Sequence, residues 1–383
     1  MKKTLVASTI CAGLMIAFSA GPAAADPLDV ADPLVRLDGS GSDTTEILMR
    51  ALDAQIPNLG SWDISGPAWD PNGAANAGCD FTGRIAGSAD GRRALANSVS
   101  NGDDCFQFAR SSSRSTGQAP AVLAALPYAG TGTTSVPMLP ISLAIDGLTY
   151  VFRSGSTTPR DLTVGQLRAI YACNFAGVVD GRAMNSPAIP NQPLIPTDAS
   201  GTRSDWLAFV GQPNTPAGSG VSEVVSDGGT LPACIEDGPG DAGQAGGEFS
   251  EHNGNVLTNG SQIIVHGTAQ YIAQGRAGSG DFRGNSLLGY IGGNTPLAPF
   301  DNPAGNLSPA TVSGSAVVDG AYFRTVYNVI PASQVADPTV VSVFGVRSGG
   351  ADPAPAGDVP NANSGAICNA DSTLISAGFI PVC

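Results

Sequence analysis

The chain has 383 residues, of which 18 are Lys or Arg and 32 are Asp or Glu, so its formal net charge at neutral pH is −14. A surface this acidic argues against nucleic acid and anionic membranes as partners, because both need basic patches. Glycine and proline, with 50 and 29 residues, make up about a fifth of the chain, less than the roughly 25–30% typical of disordered low-complexity sequences. We therefore expect a globular, loop-rich protein, which would need local dipoles and one or two arginines to bind an anion.

The N-terminus has the pattern of a secretory signal peptide. Two lysines precede the apolar stretch 4–20, and the small residues that follow end at Ala25. We predict a signal peptide over residues 1–25, so that the mature protein is secreted or associated with the cell wall. Cys11 would alternatively mark a lipoprotein, but Ile10 precedes it where lipid attachment requires a small residue, so a cysteine discarded with the signal is favoured. No later apolar run reaches the roughly 18 residues of a membrane span.

Helical patterns and strand-like runs alternate along the rest of the chain. Apolar residues at helical spacing follow Ser, Asp or Gly clusters, and Thr163 is positioned as the N-cap of one of these helices. This alternation favours an α/β class, and the chain is long enough for two domains of about 100 to 200 residues each. The predicted helices are 46–52, 92–99, 206–210 and one from Leu162; the predicted strands are 138–152, 261–267 and 321–331; the predicted surface loops are 184–197, 212–220, 237–256 and 349–365.

Six cysteines follow the signal peptide, and an even number favours disulfides in an exported chain. Six cysteines allow 15 connectivities, of which the one with the shortest loops pairs them in chain order. Metal binding is the weaker alternative, because no CxxC motif occurs and the chain has 2 histidines. We expect no metal or other cofactor. The predicted disulfides are Cys79–Cys105, Cys173–Cys234 and Cys368–Cys383.

Residues 37–52, LDGSGSDTTEILMRAL, place four small residues, Gly39 to Ser42, directly before an apolar helical run. These residues bury little and are entropically costly to order, so packing alone does not account for them. Asp43 and Glu46 have the spacing of a capping box at the start of the helix. A helix N-terminus approached by glycines is a site at which anions bind, although small residues there are also ordinary capping chemistry.

Three further segments have similar chemistry. They are IAGSADGR at 85–92, FQFARSSSR at 106–114 and DASGTRSDW at 198–206. Together with the first loop, at least three of the four open helices, so their hydroxyls would accompany helix N-termini. Four hydroxyl-rich loops predict one converging site for a tetrahedral oxyanion.

The order GSGSDTT, GSADG, FARSSSR and SGTR, followed by the strand pattern of IIVHGTAQYIAQ, resembles the phosphate-binding proteins of ABC importers, particularly their secreted actinobacterial relatives. The resemblance covers most of the mature chain through short motifs. It implies a two-lobed periplasmic-binding-protein fold of type II, which holds inorganic phosphate between its lobes, serves an ABC permease and acts as a monomer. One lobe would comprise residues 26–153 with 315–383, and the other residues 154–314.

The resemblance also implies the residues that contact phosphate, through hydroxyls and backbone amides. They are Ser42, Asp43 and Thr44 in the first loop, Ser88 in the second, Ser111 and Ser112 in the third, and Ser200, Gly201 and Thr202 in the fourth. Arg203 adjoins the fourth loop and would offset the acidic surroundings, unless it forms a surface ion pair with Asp205.

Two positions depart from the family pattern. Where the family commonly has an aspartate that accepts the proton of hydrogen phosphate, this chain has Ser112, and where an arginine commonly precedes the SGT motif it has Pro196. Asp43 is the candidate replacement for the acceptor, unless it caps the helix. Arg203 or Arg110 is the candidate cation, although Arg110 also has a surface-charge interpretation. At the level of sequence the anion is therefore phosphate or another oxyanion such as sulfate.

Two other function classes compete with a binding protein. A secreted phosphoester hydrolase would use similar oxyanion contacts, but it needs a general base, an activated nucleophile or a metal. The two imidazoles are His252, predicted in a loop, and His266, predicted in a strand near the core, and no motif pairs either with a serine. A structural or adhesive surface protein would leave the four loops unexplained. We therefore predict a binding protein that is not an enzyme.

Overall fold

The structure, a computed structural model, describes residues 37–64, 84–113, 126–129, 135–197, 200–212, 231–237, 249–275, 281–292, 317–318, 321–345 and 365–381. The predicted signal peptide lies outside these residues. None of the described helices combines the length and the apolar character that a membrane crossing requires.

Helices and strands alternate in the described residues, which confirms the α/β class. The helices are α1 (Glu46–Asp53), α2 (Ser88–Asn101), α3 (Val164–Tyr171), α4 (Gly201–Val210), α5 (Thr268–Gln274), α6 (Pro338–Phe344) and α7 (Asp371–Ser376). The strands are β1 (Leu37–Gly41), β2 (Leu59–Ser61), β3 (Phe108–Ser111), β4 (Leu126–Ala129), β5 (Ser135–Arg153), β6 (Asp161–Leu162), β7 (Val178–Val179), β8 (Arg182–Ala183), β9 (Gln192–Ile195), β10 (Glu236–Asp237), β11 (Gln262–Gly267), β12 (Ser286–Leu288), β13 (Tyr290–Ile291), β14 (Val317–Val318), β15 (Ala321–Pro331) and β16 (Ile380–Pro381).

The central sheet has the strand order β10-β9-β11-β5-β15-β3-β1-β2. Strands β9, β10 and β11 pair in parallel at one end, and β1, β2 and β3 pair in parallel at the other. The long strands β5 and β15 lie between the two groups and are antiparallel to each other and to their outer neighbours. Because the carboxyl ends of parallel strands meet at one edge, the loops after β1 and β3 fall side by side, and so do the segments after β9 and β11.

The buried apolar residues form separate cores. The largest cluster lies within residues 148–291 and is built around Trp206 and Tyr171, whose rings meet edge to face with centroids 5.9 Å apart. Two further clusters are formed by residues 37–144 and 326–379, with Ala269 as a contribution from outside those ranges. The lobe boundaries given above remain a prediction.

The strongest local patterns are confirmed. The three predicted strands are β5, β11 and β15, and helices occur at α1 and α3 as expected, whereas α4 begins at Gly201, before the predicted start at residue 206. Thr163 caps α3 in a capping box, since its hydroxyl accepts from the Gln166 backbone while the Gln166 side chain bonds back to Thr163. Helix α2 begins at Ser88, before the predicted start at residue 92, because Gly87 supplies the turn with φ +94°. The serine of the second loop is thus the first residue of a helix.

The predicted capping box at α1 is wrong. Ser42 rather than Asp43 caps this region, by accepting a hydrogen bond from the backbone of Thr44 at the start of a short 3-10 turn. The Glu46 carboxylate instead accepts from the backbone N–H of Ile64 at 3.1 Å. A distant backbone amide therefore takes the side chain that the local pattern assigned to a cap.

Two of the predicted surface loops contain buried residues. Segment 184–197 includes β9, which has buried residues along its length, and segment 237–256 includes Glu251 and His252, both at most 6% exposed. In contrast, His266 is fully buried on β11, as predicted.

The disulfide Cys173–Cys234 is confirmed. Cys105 is also disulfide-bonded, but its predicted partner Cys79 lies outside the described residues. The predicted Cys368–Cys383 bridge stays a prediction, because Cys383 and the side chain of Cys368 lie outside the described residues.

Candidate functional site

Three of the four predicted loops meet at Gly201, the first residue of α4. A Cβ atom placed on Gly201 would lie 2.6 Å from the Oγ of Ser112, 2.7 Å from that of Ser88 and 2.8 Å from that of Ser113. These distances are shorter than ordinary contacts, so the serines approach this closely because residue 201 has no side chain. The second, third and fourth loops therefore converge on one point.

The first loop joins the same point through Thr44. Its Oγ1 lies 3.5 Å from the Oγ1 of Thr202, and both side chains are fully buried. Gly41 ends β1 with φ +130°, and a Cβ there would lie 2.4 Å from the Arg110 carbonyl, so glycine is required for this loop to pack against β3. We call the following residues the hydroxyl cluster: Thr44, Ser88, Ser112, Ser113, Gly201 and Thr202.

The second and third loops are tied together by hydrogen bonds. The Ser88 hydroxyl accepts from the Ser112 backbone N–H at 2.9 Å and lies 3.0 Å from the Ser112 hydroxyl. Ser111 is used differently, because its hydroxyl accepts from Arg92 and donates to the Ser113 carbonyl. Ser111 therefore supports the third loop, while Ser112 belongs to the cluster.

In the fourth loop Ser200 and Arg203 hold the start of α4. The Ser200 hydroxyl accepts from the Arg203 backbone at 3.2 Å as an N-cap and donates to the Glu251 carboxylate at 2.9 Å. The guanidinium of Arg203 is buried and donates to the Pro196 carbonyl at 2.8 Å. Asp205, the alternative partner predicted for Arg203, is paired with Arg324 instead.

Arg110 is a buried brace of the first loop. Its guanidinium donates to the Ser42 carbonyl at 3.0 Å, the Ser61 hydroxyl at 2.7 Å and the Trp62 carbonyl at 2.6 Å. Burial lowers the pKa of Arg110, although Glu46, Asp63 and Asp43 oppose this shift. The surface-charge interpretation of Arg110 is wrong, and its donors shape the loop.

Arg324 is a cation next to the cluster that was not among the predicted residues. It lies on β15 and donates to the Thr44 hydroxyl at 3.3 Å, while it pairs with Asp146 at 3.2 Å and with Asp205 at 3.3 Å. Burial opposes its charge, but the two carboxylates raise the pKa of Arg324. Burial also raises the pKa of Asp205 to about 6. The Arg324 Nε is buried and has no hydrogen-bond partner among the described residues.

Asp43 turns away from α1 and pairs with His252. The Asp43 carboxylate lies 3.0 Å from Nδ1 of His252 and accepts from the Ser250 hydroxyl at 3.4 Å. Burial favours the neutral form of Asp43, yet the charge and the hydrogen bond of His252 lower the pKa of Asp43 below its usual value. The opposite happens at His252, where Asp43 and Glu251 outweigh burial and raise the pKa. The Gln270 side chain donates to the backbone carbonyls of Asp43 and Thr44, which clamps the first loop onto α5.

One group in the described residues has the spacing of a three-ligand metal site. Asp43, Glu251 and His252 present ligand atoms within 4.8 Å of one another. Asp43 and His252 already bond to each other, and Ser200 donates to Glu251. We therefore treat the group as a hydrogen-bonded network and assign no metal to it.

The pair of Asp43 and His252 predicts a stability that depends on pH. The raised pKa of His252 means that its contribution is complete below about pH 6.5 and is lost as pH rises through the raised value. The lowered pKa of Asp43 means that its contribution is complete above about pH 4 and is lost as pH falls through the lowered value. We expect His252→Gln to lower the free energy of unfolding in urea by about 1.5 to 3 kcal/mol between these limits, and by less on either side.

His266→Gln is the contrasting variant, because the pKa of His266 is shifted in the opposite direction to that of His252. Burial lowers the pKa of His266 to about 3, so its neutral ring contributes fully above about pH 6.5 and progressively less as pH falls towards 3. An effect of His252→Gln that is the same from about pH 3 to about pH 9 would show that the pair is not ionic.

The buried charged residues that were not predicted differ in how far the sequence indicated their burial. Arg324 and Asp146 stand inside the predicted strands 321–331 and 138–152, and a charged residue in an otherwise apolar central strand indicates a buried partner. Glu251 and His252 stand in a glycine-rich acidic segment without periodicity, which left no signal of burial.

No family model and no curated protein matches the chain. Solved structures that resemble it include an ABC-type phosphate transport receptor from Vibrio cholerae, at 14% identity and a TM-score of 0.43, over 90% of this chain and 99% of that one. A putative phosphate ABC transporter substrate-binding protein with bound phosphate from Clostridium perfringens has 12% identity and a TM-score of 0.44, over 91% and 100%. A phosphate-binding protein from Stenotrophomonas maltophilia has 14% identity and a TM-score of 0.42, over 91% of each chain. Identity this low leaves the function to be argued from the chain's own side chains.

Proposed function

We propose that this chain is an exported solute-binding protein that captures inorganic phosphate at the hydroxyl cluster and passes it to an ABC permease. The observation that carries the proposal is the convergence of three serine hydroxyls on Gly201, with Thr44 and Thr202 meeting beside them. Short hydroxyl side chains around a glycine provide donors on several sides of one small volume, which suits a compact tetrahedral oxyanion.

Two helix N-termini reinforce this arrangement. Ser88 is the first residue of the 14-residue helix α2, and Gly201 is the first residue of the 10-residue helix α4. The first turn of a helix has backbone N–H groups without intrahelical partners and carries the positive end of the helix dipole. An anion at the cluster would therefore face two helix N-termini at once.

Arg324 brings a positive charge to this point of a strongly acidic protein, where its guanidinium donates to the Thr44 hydroxyl. Its Nε is buried without a partner in the described residues, and a buried unsatisfied donor is destabilising by about 1 to 3 kcal/mol. A phosphate oxygen would satisfy it. Arg324 thus takes the role of the cation for which Arg203 and Arg110 were the predicted candidates.

The proposed contact residues are a revised set. The anion would be held by Thr44, Ser88, Ser112, Ser113, Gly201, Thr202 and Arg324. The remaining predicted residues would hold the loops in place without contacting the anion. Ser42 caps the first loop, Ser111 supports the third, Ser200 and Arg203 hold the start of α4, and Asp43 pairs with His252.

A hydrolase receives no support from the two imidazoles. Nδ1 of His252 bonds to Asp43, and Nδ1 of His266 bonds to the Gly267 carbonyl. Neither ring is hydrogen-bonded to a serine hydroxyl in the described part of the chain, so neither imidazole activates a described serine in the manner of a catalytic nucleophile.

Thr202 offers the sharpest test of the proposed function, because valine keeps its shape and removes its hydroxyl. We expect Thr202→Val to weaken phosphate binding by about tenfold or more, since a hydrogen bond to a charged group contributes roughly 1.5 to 3 kcal/mol. Thr202→Ser, which keeps the hydroxyl, is the matched control and should stay within about threefold of the unsubstituted protein. Isothermal calorimetry with phosphate measures all three proteins.

Two results would contradict the proposal. Equal phosphate affinity in the Thr202→Val and Thr202→Ser variants would remove the anion from this cluster. Turnover of a chromogenic phosphoester by the purified protein would favour the hydrolase instead.

A further inference from the structure

Three consecutive residues, Ser250 to His252, join the first and fourth loops from outside the hydroxyl cluster. The His252 ring and the Ser250 hydroxyl bond to the Asp43 carboxylate, at 3.0 Å and 3.4 Å. The Glu251 carboxylate accepts from the Ser200 hydroxyl at 2.9 Å. Glu251 and His252 are 2% and 6% exposed, so these contacts are shielded from solvent. We call these three residues the strap.

The residues that the strap contacts stand directly before members of the cluster. Asp43 precedes Thr44, and Ser200 precedes Gly201. The Thr44 hydroxyl lies 3.5 Å from that of Thr202, so the two loops meet just beyond the points at which the strap holds them. A shift of the strap would therefore reach the cluster through a single peptide unit on each side.

Helix α5 supports the strap and the first loop together. The Gln274 side chain donates to the His252 carbonyl at 2.9 Å, and the Gln270 side chain donates to the Asp43 carbonyl at 2.6 Å. Residues at this spacing lie on the same face of a helix. Helix α5 thus fixes the backbone of both partners, and the ion pair between their side chains completes the contact.

Stability alone is a poor explanation for this ion pair. The Nε2 atom of His252 is buried and has no hydrogen-bond partner among the described residues, so the charged ring leaves one N–H group unsatisfied. A buried ion pair contributes little net stability relative to apolar residues of the same shape, but it fixes the relative position of the segments that it joins.

We infer that the ion pair of Asp43 and His252 positions the first loop for the anion, so that a positive charge on His252 strengthens phosphate binding; this inference rests on the proposed function. A loop that is already held in its bound conformation loses less entropy when the ligand binds, and this raises the affinity. When His252 is neutral the ion pair is lost, and the first loop is held by weaker contacts. Asp43 and His252 are thus positioning residues, and neither contacts the anion.

The surroundings of His252 favour its charged form. Burial opposes the charge, but Asp43, Glu251 and more weakly Asp146 on β5 raise the pKa of His252. The ring of His266, with its centroid 5.6 Å from that of His252, is neutral because burial lowers its pKa to about 3. The ion pair is therefore complete between about pH 4 and about pH 6.5. It is lost as pH rises through the raised pKa of His252 or falls through the lowered pKa of Asp43.

His252→Gln tests the inference, because the amide keeps a hydrogen-bond donor but cannot carry the charge. At about pH 6 we expect this variant to bind phosphate about tenfold more weakly than the unsubstituted protein in calorimetry. The ratio of the two affinities should approach one as pH rises through the raised pKa of His252, whereas a merely structural role would leave the ratio independent of pH. Phosphate, Glu46 and Asp205 titrate in the same range, but they are common to both proteins, so their contributions cancel in the ratio.

Asp43→Asn and the double variant test whether the two residues act as a pair. Asp43→Asn should weaken phosphate binding at about pH 6 by about the same factor as His252→Gln. The double variant should bind no more weakly than either single variant, because each substitution removes the same contact. His266→Gln is the control, since this buried imidazole bonds to the Gly267 carbonyl rather than to Asp43. We expect its phosphate affinity to stay within about twofold of the unsubstituted protein.

The outcomes separate this inference from the proposed function. Unchanged phosphate affinity in His252→Gln, a loss that is the same from about pH 6 to about pH 9, or additive losses in the double variant would each overturn the inference and leave the phosphate site intact. Absence of phosphate binding to the unsubstituted protein would overturn the proposed function, and the inference with it. If His252→Gln does not fold, Asp43→Asn decides, because it removes the same ion pair and unchanged phosphate affinity in it overturns the inference.

Discussion

Replacing Gly201 with valine should weaken phosphate binding by at least about a hundredfold, the largest loss that we expect from any single substitution in the site. A side chain at residue 201 would begin within 2.8 Å of three serine hydroxyls, so it would force the second and third loops away from α4. Gly201 does not have a left-handed φ, so its backbone tolerates a side chain and α4 should still form. Calorimetry with phosphate measures the loss, and circular dichroism checks the fold.

Gly260→Ala is the control for Gly201→Val. A Cβ on Gly260 would lie 3.2 Å from Ser156, which is tight but remote from the hydroxyl cluster. We expect phosphate affinity to stay within about twofold in this variant. Wild-type affinity in Gly201→Val would show that the anion does not lie between the loops that converge there.

The second large effect is on stability. Arg324→Met would remove the cation shared by Asp146 and Asp205 while keeping an apolar side chain of similar length. The Asp146 side chain is fully buried, and breaking a buried ion pair by removing one partner is destabilising by about 3 to 5 kcal/mol. We expect a loss of this size in urea denaturation near neutral pH, and a smaller loss in acid, where the carboxylates can become neutral.

Two further variants test the cause of that loss. The double variant Arg324→Met with Asp146→Asn removes the unpaired charge and should recover part of the stability. Arg93→Met removes an arginine whose ion pair with Asp90 is about one-third exposed on both sides, and should change stability by about 1 kcal/mol or less. Equal effects of Arg324→Met and Arg93→Met would show that the Arg324 cluster does not behave as a buried network.

The structure also explains how a protein of net charge −14 could hold an anion. Asp43 is balanced by His252, Asp146 and Asp205 share Arg324, and Asp63 is bonded to Arg50. Each of these carboxylates thus has a cation within ion-pair distance. The long-range field of the surface is screened over about 10 Å in ordinary buffers, so short-range donors determine the affinity at the site.

Where a structural feature depends on residues close together in the chain, the sequence alone was sufficient to predict it. The apolar, β-branched runs of β5, β11 and β15 have the composition of buried strands, and Thr163 with Gln166 forms the capping box of α3 between residues three positions apart. The serine-rich and threonine-rich loops were recognisable because their composition is unfavourable for packing. These features depend on hydrogen bonds and periodicity within one or two turns, and such interactions can be read from neighbouring residues.

The tertiary structure alone decided the partners of the ionisable groups. Asp43 looked like the start of a capping box but bonds to His252, 209 residues away, and Arg324 reaches Asp146 across paired strands 178 residues apart in the chain. Glu251 was predicted to lie in a surface loop and is instead buried, with its carboxylate bonded to the Ser200 hydroxyl. A buried charge is stable where the fold brings a partner or a hydrogen-bond donor to it, and sequence spacing carries no record of residues brought together over such distances.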